Sequence, residues 1–257
     1  MTITAPIERS TFPGDAASPA LLPGRDCALF LDFDGTLVEL AEGPDQIRVP
    51  SELGPLLERL RQQLGGALAI VTGRAIDTID HYLQPLQLCV AGVHGAERRN
   101  ADGSLRRAPV PQLNDAIEPI AALCARHPAL RLETKPGAVA LHYRQAPELQ
   151  DECLATMQSA LERVEGLALL RGKMVVELKP SRVNKATAVA AFMERSPFRS
   201  RRPWFLGDDV TDESAFEYVQ SVGGVAVRVG PGETLAAQRL ADPAAVRQWL
   251  QAIVEAP

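Results

Sequence analysis

Short, continuously apolar runs alternate with amphipathic stretches in the N-terminal part of the chain. The segments CALFLDF (27–33), GALAIVTG (66–73) and QLCVAGV (87–93) are typical of strands that are covered on both faces of a parallel sheet. The leucines of SELGPLLERLRQQLGG (51–66) recur at helical spacing behind Ser51, which we expect to be the N-cap, and AIDTIDHYLQPL (75–86) predicts a second helix. This βαβαβ order predicts right-handed crossovers and a ligand site at the carboxyl ends of the strands.

The pattern changes after a hairpin-like turn near 100–104. Helix (112–126), hairpin (130–144, turning at Pro136-Gly137), helix (147–164) and hairpin (167–180) follow one another, which does not continue a parallel sheet. From about Asn184 the earlier alternation returns, with helices at 185–195, at 213–222 and from Pro243, and strands at 203–209 and 224–230. We therefore predict an α/β fold, a Rossmann-like doubly wound parallel sheet with an inserted α+β cap. Its expected parts are a flexible tail (1–24), a core (25–109 and 180–257) and the cap (110–179).

Composition narrows the range of partners. The chain has 257 residues and a formal net charge of -5, and its arginine pairs are scattered rather than striped, so nucleic-acid binding is not expected. No apolar run approaches the roughly 18 residues that a membrane helix needs, and the N-terminus lacks the features of a signal peptide. The four cysteines show no CxxC spacing, which favours reduced thiols and a cytoplasmic location. We expect a monomer that acts on a small molecule.

Polar, reactive residues cluster in four segments at strand ends or at a helix start. They are LDFDGT (Asp32, Asp34, Thr36), VTGR (Thr72, Gly73, Arg74), VNKATAV (Lys185) and LGDDVTDE (Asp208, Asp209, Asp212, Glu213). In a doubly wound sheet these positions converge on one edge. Carboxylates gathered there require a cation, and their oxygen ligands favour Mg²⁺ over Zn²⁺.

The four segments, in this order, resemble the signature of the haloacid dehalogenase phosphatase superfamily, over essentially the whole chain from about residue 25. The predicted insert matches the position of that superfamily's C2-type cap. More narrowly, GVHGAE (92–97), ETKPGAVALHYR (133–144), VVELKP (175–180) and GDDVTDE (207–213) resemble the trehalose-6-phosphate phosphatase family. The resemblance implies Mg²⁺-dependent hydrolysis of trehalose 6-phosphate to trehalose and phosphate.

The chemistry of a phosphate monoester assigns roles to these residues. Asp32 is the expected nucleophile, giving an aspartyl-phosphate, and Asp34 is expected to protonate the leaving oxygen and later to deprotonate water. Lys185, Thr72 and the backbone N–H of Gly73 suit the phosphoryl oxygens. The expected metal-side groups are the carboxylates of Asp32 and Asp208, the carbonyl of Asp34, and Asp209 and Asp212 as outer acids whose relative importance stays open.

The resemblance also implies which residues contact the sugar. Glu133, Lys135 and Glu177 are the implied contacts in the cap, although a cross-strand salt-bridge set on an exposed sheet would use the same residues. Further candidate substrate-binding residues are Arg74, His94, Glu97, His142 and Arg144. His81 and His127 are expected to be ordinary surface residues.

Two other functions remain open from the sequence. One is a related sugar-phosphate phosphatase, acting on sucrose phosphate or mannosylglycerate phosphate. The other is a non-catalytic receiver-like module, because receivers also carry acidic Mg²⁺ sites at strand ends. A receiver is about half this length and has no use for Asp34 or for an inserted cap, which argues against the second alternative.

Overall fold

A computed structural model describes residues 23–41, 46–109, 112–172 and 174–256. Most of the predicted N-terminal tail, residues 1–22, lies outside the described residues. The strands in the described part of the chain are β1 (Cys27–Leu31), β2 (Leu68–Val71), β3 (Cys89–Gly92), β4 (Glu97–Arg99), β5 (Leu105–Arg107), β6 (Arg131–Lys135), β7 (Ala138–His142), β8 (Leu167–Gly172), β9 (Val175–Pro180), β10 (Arg202–Gly207), β11 (Val225–Val229) and β12 (Gln238–Leu240). The helices are α1 (Leu53–Gln63), α2 (Ile76–Leu83), α3 (Asn114–Arg126), α4 (Gln150–Glu162), α5 (Lys185–Met193), α6 (Glu213–Ser221) and α7 (Pro243–Glu255).

The larger sheet has the order β12-β11-β10-β1-β2-β3-β4-β5. Pairing is parallel from β12 to β3 and antiparallel from β3 to β5. The antiparallel pair β4 and β5 confirms the turn predicted near 100–104, where the N–H of Asn100 donates to the carbonyl of Ser104. The central position of β1 places the residues that follow it in the middle of the ligand edge.

Alternate residues of β1 enter two different cores, one on each face of the sheet. Leu29 and Leu31 pack with α1, α2 and α7, whereas Ala28 and Phe30 pack with α5 and α6. The Phe30 ring lies 5.3 Å from that of Phe198, centroid to centroid. Helices therefore cover both faces of the sheet, and the predicted doubly wound α/β class is confirmed.

A smaller antiparallel sheet, with the order β6-β7-β9-β8, lies within the predicted insert. We call it the inserted sheet. One of its faces packs against α3 and α4 through an apolar core that includes Leu141, Met157 and Leu178. Its β6–β7 turn falls at Pro136-Gly137, as predicted. The side chains of the opposite face alternate with the core residues along each strand. They line the space next to the large sheet.

Two local predictions were wrong or incomplete. Helix α1 begins at Leu53 with Glu52 at the N-cap and no side-chain cap, because the N–H of Leu53 donates to the carbonyl of Pro50 and a backbone turn leads into the helix. Ser51 therefore does not cap it. The short edge strand β12 was not predicted, because its sequence QRL lacks the apolar run that marks the buried strands.

Replacing Phe30 with Ala tests the core beneath the ligand edge. Phe30 has no exposed surface, so we expect the free energy of unfolding to fall by about 3 to 5 kcal/mol, measured by urea denaturation. The matched control is Leu105→Ala, since Leu105 is 55% exposed and its loss should change stability by less than about 0.5 kcal/mol. Equal effects of the two variants would contradict this description of the core.

Candidate active site

Four separate segments meet at the carboxyl edge of the large sheet. Asp32 directly follows β1, Thr72 follows β2 and Asp208 follows β10, while Lys185 is the first residue of α5. The Nζ atom of Lys185 lies 2.9 Å from Oδ1 of Asp32 and 2.6 Å from Oδ1 of Asp212. The structure thus brings together the segments that the sequence placed at strand ends.

Two glycines allow the acids to approach one another. Gly35 has φ +75°, and a Cβ atom there would lie 2.1 Å from Oδ2 of Asp208. A Cβ atom on Gly207 would lie 2.3 Å from Cγ of Asp212. Both distances are far shorter than any van der Waals contact, so only glycine at these positions leaves room for the two carboxylates.

The acid cluster carries more negative than positive charge. Carboxylate oxygens of Asp32, Asp208 and Asp212 lie within 4.8 Å of one another. Burial raises the pKa of Asp32 well above its usual range, with Lys185 opposing the shift and the two other acids adding to it. Burial also raises the pKa of Asp208 to about 7, and Asp212 adds to that shift. The ammonium group of Lys185 contacts two of the three carboxylates, those of Asp32 and Asp212, and the half-buried Asp208 has no ion pair with it.

Asp212 lies at the centre of the cluster, whereas Asp209 lies to one side. A 3₁₀ turn spans Val210–Asp212. The N–H of Asp209 donates to Oδ2 of Asp212 at 3.0 Å, which turns the Asp212 carboxylate back toward Lys185. Asp209 is not in the group of acids with metal-ligand spacing. Its assignment as a metal-side residue stays a prediction, and the structure favours Asp212 in the question that the sequence left open.

The loop after β2 carries Arg74, whose guanidinium binds Asp34. Nε and Nη2 of Arg74 donate to Oδ2 and Oδ1 of Asp34 at 2.6 and 2.7 Å. The same guanidinium lies 5.5 Å from the ring centroid of Tyr82, a contact that the sequence did not indicate. The hydroxyl of Thr72 accepts from the N–H of Arg74 at 3.1 Å. Arg74, predicted to contact substrate, thus holds the carboxylate predicted to move protons.

His94 connects this loop to the inserted sheet. Val93 and His94 both have positive φ values, 48° and 54°. The N–H of His94 donates to the carbonyl of Thr72 at 2.9 Å, and a Cβ atom on Gly73 would lie 2.8 Å from the His94 ring. From this position Nε2 of His94 lies 3.5 Å from Oε2 of Glu177 in β9.

Charged side chains of the inserted sheet face the acid cluster across the cleft. Nζ of Lys135 lies 3.0 Å from Oε2 of Glu177, and Nε2 of His142 lies 2.8 Å from Oε2 of Glu133. Burial disfavours a charged Glu177, but Lys135 and His94 outweigh it and lower its pKa to about 2. The second oxygen of Glu177, Oε1, is buried without a hydrogen-bond partner among the described residues. The cross-strand ion pair considered from the sequence is therefore present, and it forms part of the cleft wall.

The cleft between the two sheets has a volume of about 560 Å³. Most of the candidate residues line it, including Arg144. Glu97 does not line it, and instead accepts a hydrogen bond from the N–H of Ile76 at 2.6 Å. Arg228, near the carboxyl end of β11, lines the cleft as well. The sequence reasoning missed Arg228, although the rule of strand ends that found the other residues applies to it.

The fold and the acid cluster define the class of protein. A mostly parallel, doubly wound sheet with an inserted antiparallel sheet is also the fold of a solved phosphatase of the haloacid dehalogenase superfamily from Bacteroides thetaiotaomicron, which matches with a TM-score of 0.59 and 17% identity over 92% of this chain and 99% of that chain. Within that class, the family model described as trehalose-phosphatase matches residues 30–244. The chain belongs to the trehalose-phosphatase family.

Individual relatives agree with this membership. The chain is 42% identical over 231 residues to the trehalose-6-phosphate phosphatase of Escherichia coli (strain K12), covering 89% of this chain and 87% of that protein. It is 46% identical over 206 residues to a probable trehalose-phosphate phosphatase of Sinorhizobium fredii, covering 79% and 78%. The crystal structure of a trehalose-6-phosphate phosphatase related protein matches with a TM-score of 0.70 and 27% identity over 89% of this chain and 97% of that chain.

Among the described residues, we find no helix with the length and apolar character needed to cross a bilayer.

Replacing Glu177 with Gln should flatten the acid side of the stability profile. A carboxyl with a pKa lowered from 4.5 to about 2 on folding stabilises the protein above pH 4.5 and loses this contribution as the pH falls toward 2. The loss amounts to about 3 kcal/mol in total. We expect urea unfolding at several pH values to show this loss in the wild type and not in the variant. Glu148→Gln, at an exposed position, should keep the wild-type slope, and an equally steep slope in Glu177→Gln would contradict the assignment.

Proposed function

We propose that this protein hydrolyses trehalose 6-phosphate to trehalose and phosphate through an aspartyl-phosphate on Asp32. One observation carries the proposal. The carboxylate of Asp32, 2.9 Å from the ammonium of Lys185, lies at the base of a cleft whose opposite wall presents Glu133, Lys135 and Glu177. This arrangement supports a division in which the large sheet carries the phosphoryl chemistry and the inserted sheet recognises the sugar hydroxyls.

We further propose Mg²⁺ as the cofactor, held by Asp32 and Asp208 with Asp212 beside them. The residues present fit this ion, because the cluster offers closely spaced carboxylate oxygens, the donors that Mg²⁺ prefers. Burial, together with repulsion between the acids, raises the pKa values of Asp32 and Asp208, which supports a role for a bound cation at this position. Bound there, the ion would supply the charge that allows a carboxylate and a phosphate dianion to approach each other.

Asp32 attacks phosphorus, and the bond between phosphorus and the sugar oxygen breaks. Lys185 is fixed by Asp212 on one side, so its remaining hydrogen-bonding capacity is directed at Asp32 and at phosphoryl oxygens. The hydroxyl of Thr72 and the N–H of Gly73 lie at the adjacent strand end and donate to the same oxygens. Water then attacks the phosphoryl group on Asp32 and releases phosphate.

Asp34 transfers the protons. It lies two residues after Asp32, and its carboxylate is oriented by the two hydrogen bonds from Arg74. In the first step the carboxyl group gives its proton to the leaving sugar oxygen. In the second step the resulting carboxylate takes a proton from the attacking water, so the group returns to its initial state.

The inserted sheet acts as the cap that selects the sugar, within the predicted limits 110–179. Lys135 and Glu177 are held in place by their ion pair before substrate arrives. The unpaired Oε1 of Glu177 accepts a hydrogen bond from a sugar hydroxyl, and Glu133 and His94 lie close enough to share this role. The monomeric state, the cytoplasmic location and the lack of a nucleic-acid partner stay predictions.

Replacing Asp32 with Asn should abolish phosphate release from trehalose 6-phosphate and from para-nitrophenyl phosphate, because the amide is not a nucleophile. EDTA should stop the wild-type reaction, and added Mg²⁺ should restore it. The matched variant Asp34→Asn should lose most of its rate on the sugar substrate, although its backbone carbonyl is unchanged. Undiminished turnover by Asp32→Asn would remove the enzyme interpretation.

A substrate panel tests the assignment of the cap. We expect Glu133→Gln and Lys135→Met to lower kcat/KM for trehalose 6-phosphate by about 10- to 100-fold, because each loses a charge-assisted hydrogen bond to the sugar. Turnover of para-nitrophenyl phosphate, which offers no hydroxyls, should change by less than about threefold. The control is Glu148→Gln, on the exposed side of the cap.

The same panel includes sucrose phosphate and mannosylglycerate phosphate. The wild type should turn these over more slowly than trehalose 6-phosphate. A wild type that prefers either of them would replace the proposed substrate while leaving the chemistry at Asp32 in place.

A further inference from the structure

Glu97 is a buried acid that contacts backbone rather than the cleft. It lies on β4 with 4% of its surface exposed. Its Oε1 accepts a hydrogen bond from the N–H of Ile76, the first residue of α2, at 2.6 Å. The N-cap residue of that helix, Ala75, offers no side chain to the free N–H groups. Glu97 therefore caps α2 from another strand.

The loop that leads into α2 is bound on its other side as well. The N–H of Val93 donates to the carbonyl of Arg74, and the N–H of His94 donates to the carbonyl of Thr72, both at 2.9 Å. Residues 72–76 are thus connected to residues 93–97 by backbone and side-chain hydrogen bonds together.

The surroundings of Gly92 show how closely the loop before α2 and the Glu97 side chain pack against the end of β3. A Cβ atom at this position would lie 2.8 Å from the carbonyl oxygen of Arg74, 2.9 Å from Oε1 of Glu97 and 3.0 Å from the N atom of Ile76. The absence of a side chain at Gly92 therefore leaves room for the Glu97 carboxylate and for the backbone of the loop at the end of β3.

The loop carries groups that the proposed reaction needs. Thr72 and Gly73 line the cleft and are the proposed donors to the phosphoryl oxygens, and Arg74 binds both carboxylate oxygens of Asp34. A shift of about 1 Å in such groups can cost on the order of 100-fold in rate. An acid that fixes the loop therefore affects catalysis without touching substrate.

The other carboxylate oxygen of Glu97, Oε2, makes only a weak ionic contact. Oε2 lies 3.7 Å from Nε of Arg107, a side chain that is 64% exposed. Ion pairs of this kind have little effect on stability. The short hydrogen bond from Ile76, which depends on the length of the Glu97 side chain, is thus the stronger of its two contacts.

We propose that Glu97 is a positioning residue for the loop of Thr72, Gly73 and Arg74, and that it does not bind the sugar. The inference rests on the proposed phosphatase activity. It assigns to Glu97 a role different from the substrate contact expected from the sequence.

Two variants separate the effect of side-chain length at position 97 from the effect of its charge. Glu97→Asp keeps the charge but is one methylene too short to reach Ile76, whereas Glu97→Gln keeps an acceptor at the same reach and loses the charge. We expect Glu97→Asp to lower kcat by roughly 10- to 100-fold on both trehalose 6-phosphate and para-nitrophenyl phosphate. Glu97→Gln should stay within about threefold of the wild type on both substrates.

Amide hydrogen exchange supplies a readout that is independent of turnover. Peptides covering residues 72–80 should exchange faster in Glu97→Asp than in the wild type, and at the wild-type rate in Glu97→Gln. If Glu97→Asp does not fold, Gly92→Ala gives the second test, because its methyl group meets the same three atoms and should produce the same losses on both substrates.

Three results would overturn the proposal. One is a loss confined to trehalose 6-phosphate in both variants, which would make Glu97 a sugar contact. Another is an equal loss in Glu97→Gln and Glu97→Asp on both substrates, and the third is no change in either. If the wild type fails to hydrolyse trehalose 6-phosphate, the proposed substrate fails alone, since para-nitrophenyl phosphate and amide exchange still test Glu97.

Discussion

Two buried carboxylates, those of Asp32 and Asp212, share the ammonium group of Lys185 at the carboxyl edge of the large sheet, with the half-buried Asp208 beside them, and much of the architecture positions this cluster. Strands β1 and β10 are neighbours, and the N–H of Asp32 donates to the carbonyl of Leu206 at 2.9 Å, which places Asp32 next to Asp208. Two glycines leave space for the acids, and α5 begins with Lys185, whose Nζ reaches both Asp32 and Asp212. Such a cluster is unfavourable in isolation, because burial and mutual repulsion both oppose ionisation. Its retention inside a stable fold is an argument for function rather than for structure.

The cleft has two walls, the large sheet and the inserted sheet, and each supplies a different kind of group. The large sheet supplies groups at fixed strand ends, which suits chemistry that depends on distances of a few tenths of an ångström. The inserted sheet supplies long charged side chains that suit a polyhydroxylated substrate. His94 joins the two walls, and its position requires two consecutive residues with positive φ. That conformation is costly for residues other than glycine, and it persists because the N–H groups of Val93 and His94 both donate to the loop after β2.

Much of this could be predicted from the sequence, for a physical reason. Buried parallel strands are apolar throughout, so their ends are visible as the positions where charge begins, and the topology then brings those ends together. The prediction that Ser51 is the N-cap of α1 was wrong, because a helix can begin after a backbone turn without any side-chain cap. The contacts of Glu97 could not be predicted from the sequence, because they depend on the position of β4 beside α2 and not on any local pattern. The central position of Asp212 depends likewise on a 3₁₀ turn that reverses its direction.

The ion pairs of the cleft also affect the affinity expected for the proposed sugar substrate. Lys135 and His94 lower the pKa of Glu177 to about 2 against the opposing effect of burial, so the cost of desolvating this charge is met during folding and not during binding. Arg74 likewise fixes the orientation of Asp34 with two hydrogen bonds before substrate arrives. In the proposed complex, a sugar hydroxyl would meet a Glu177 carboxylate that already has one oxygen bound to Lys135 and the other, Oε1, buried without a hydrogen-bond partner among the described residues. On this proposal, affinity comes from completing a preformed set of hydrogen bonds, and a sugar with its hydroxyls at other positions would leave buried polar atoms unpaired, which is a stronger basis for discrimination than shape alone.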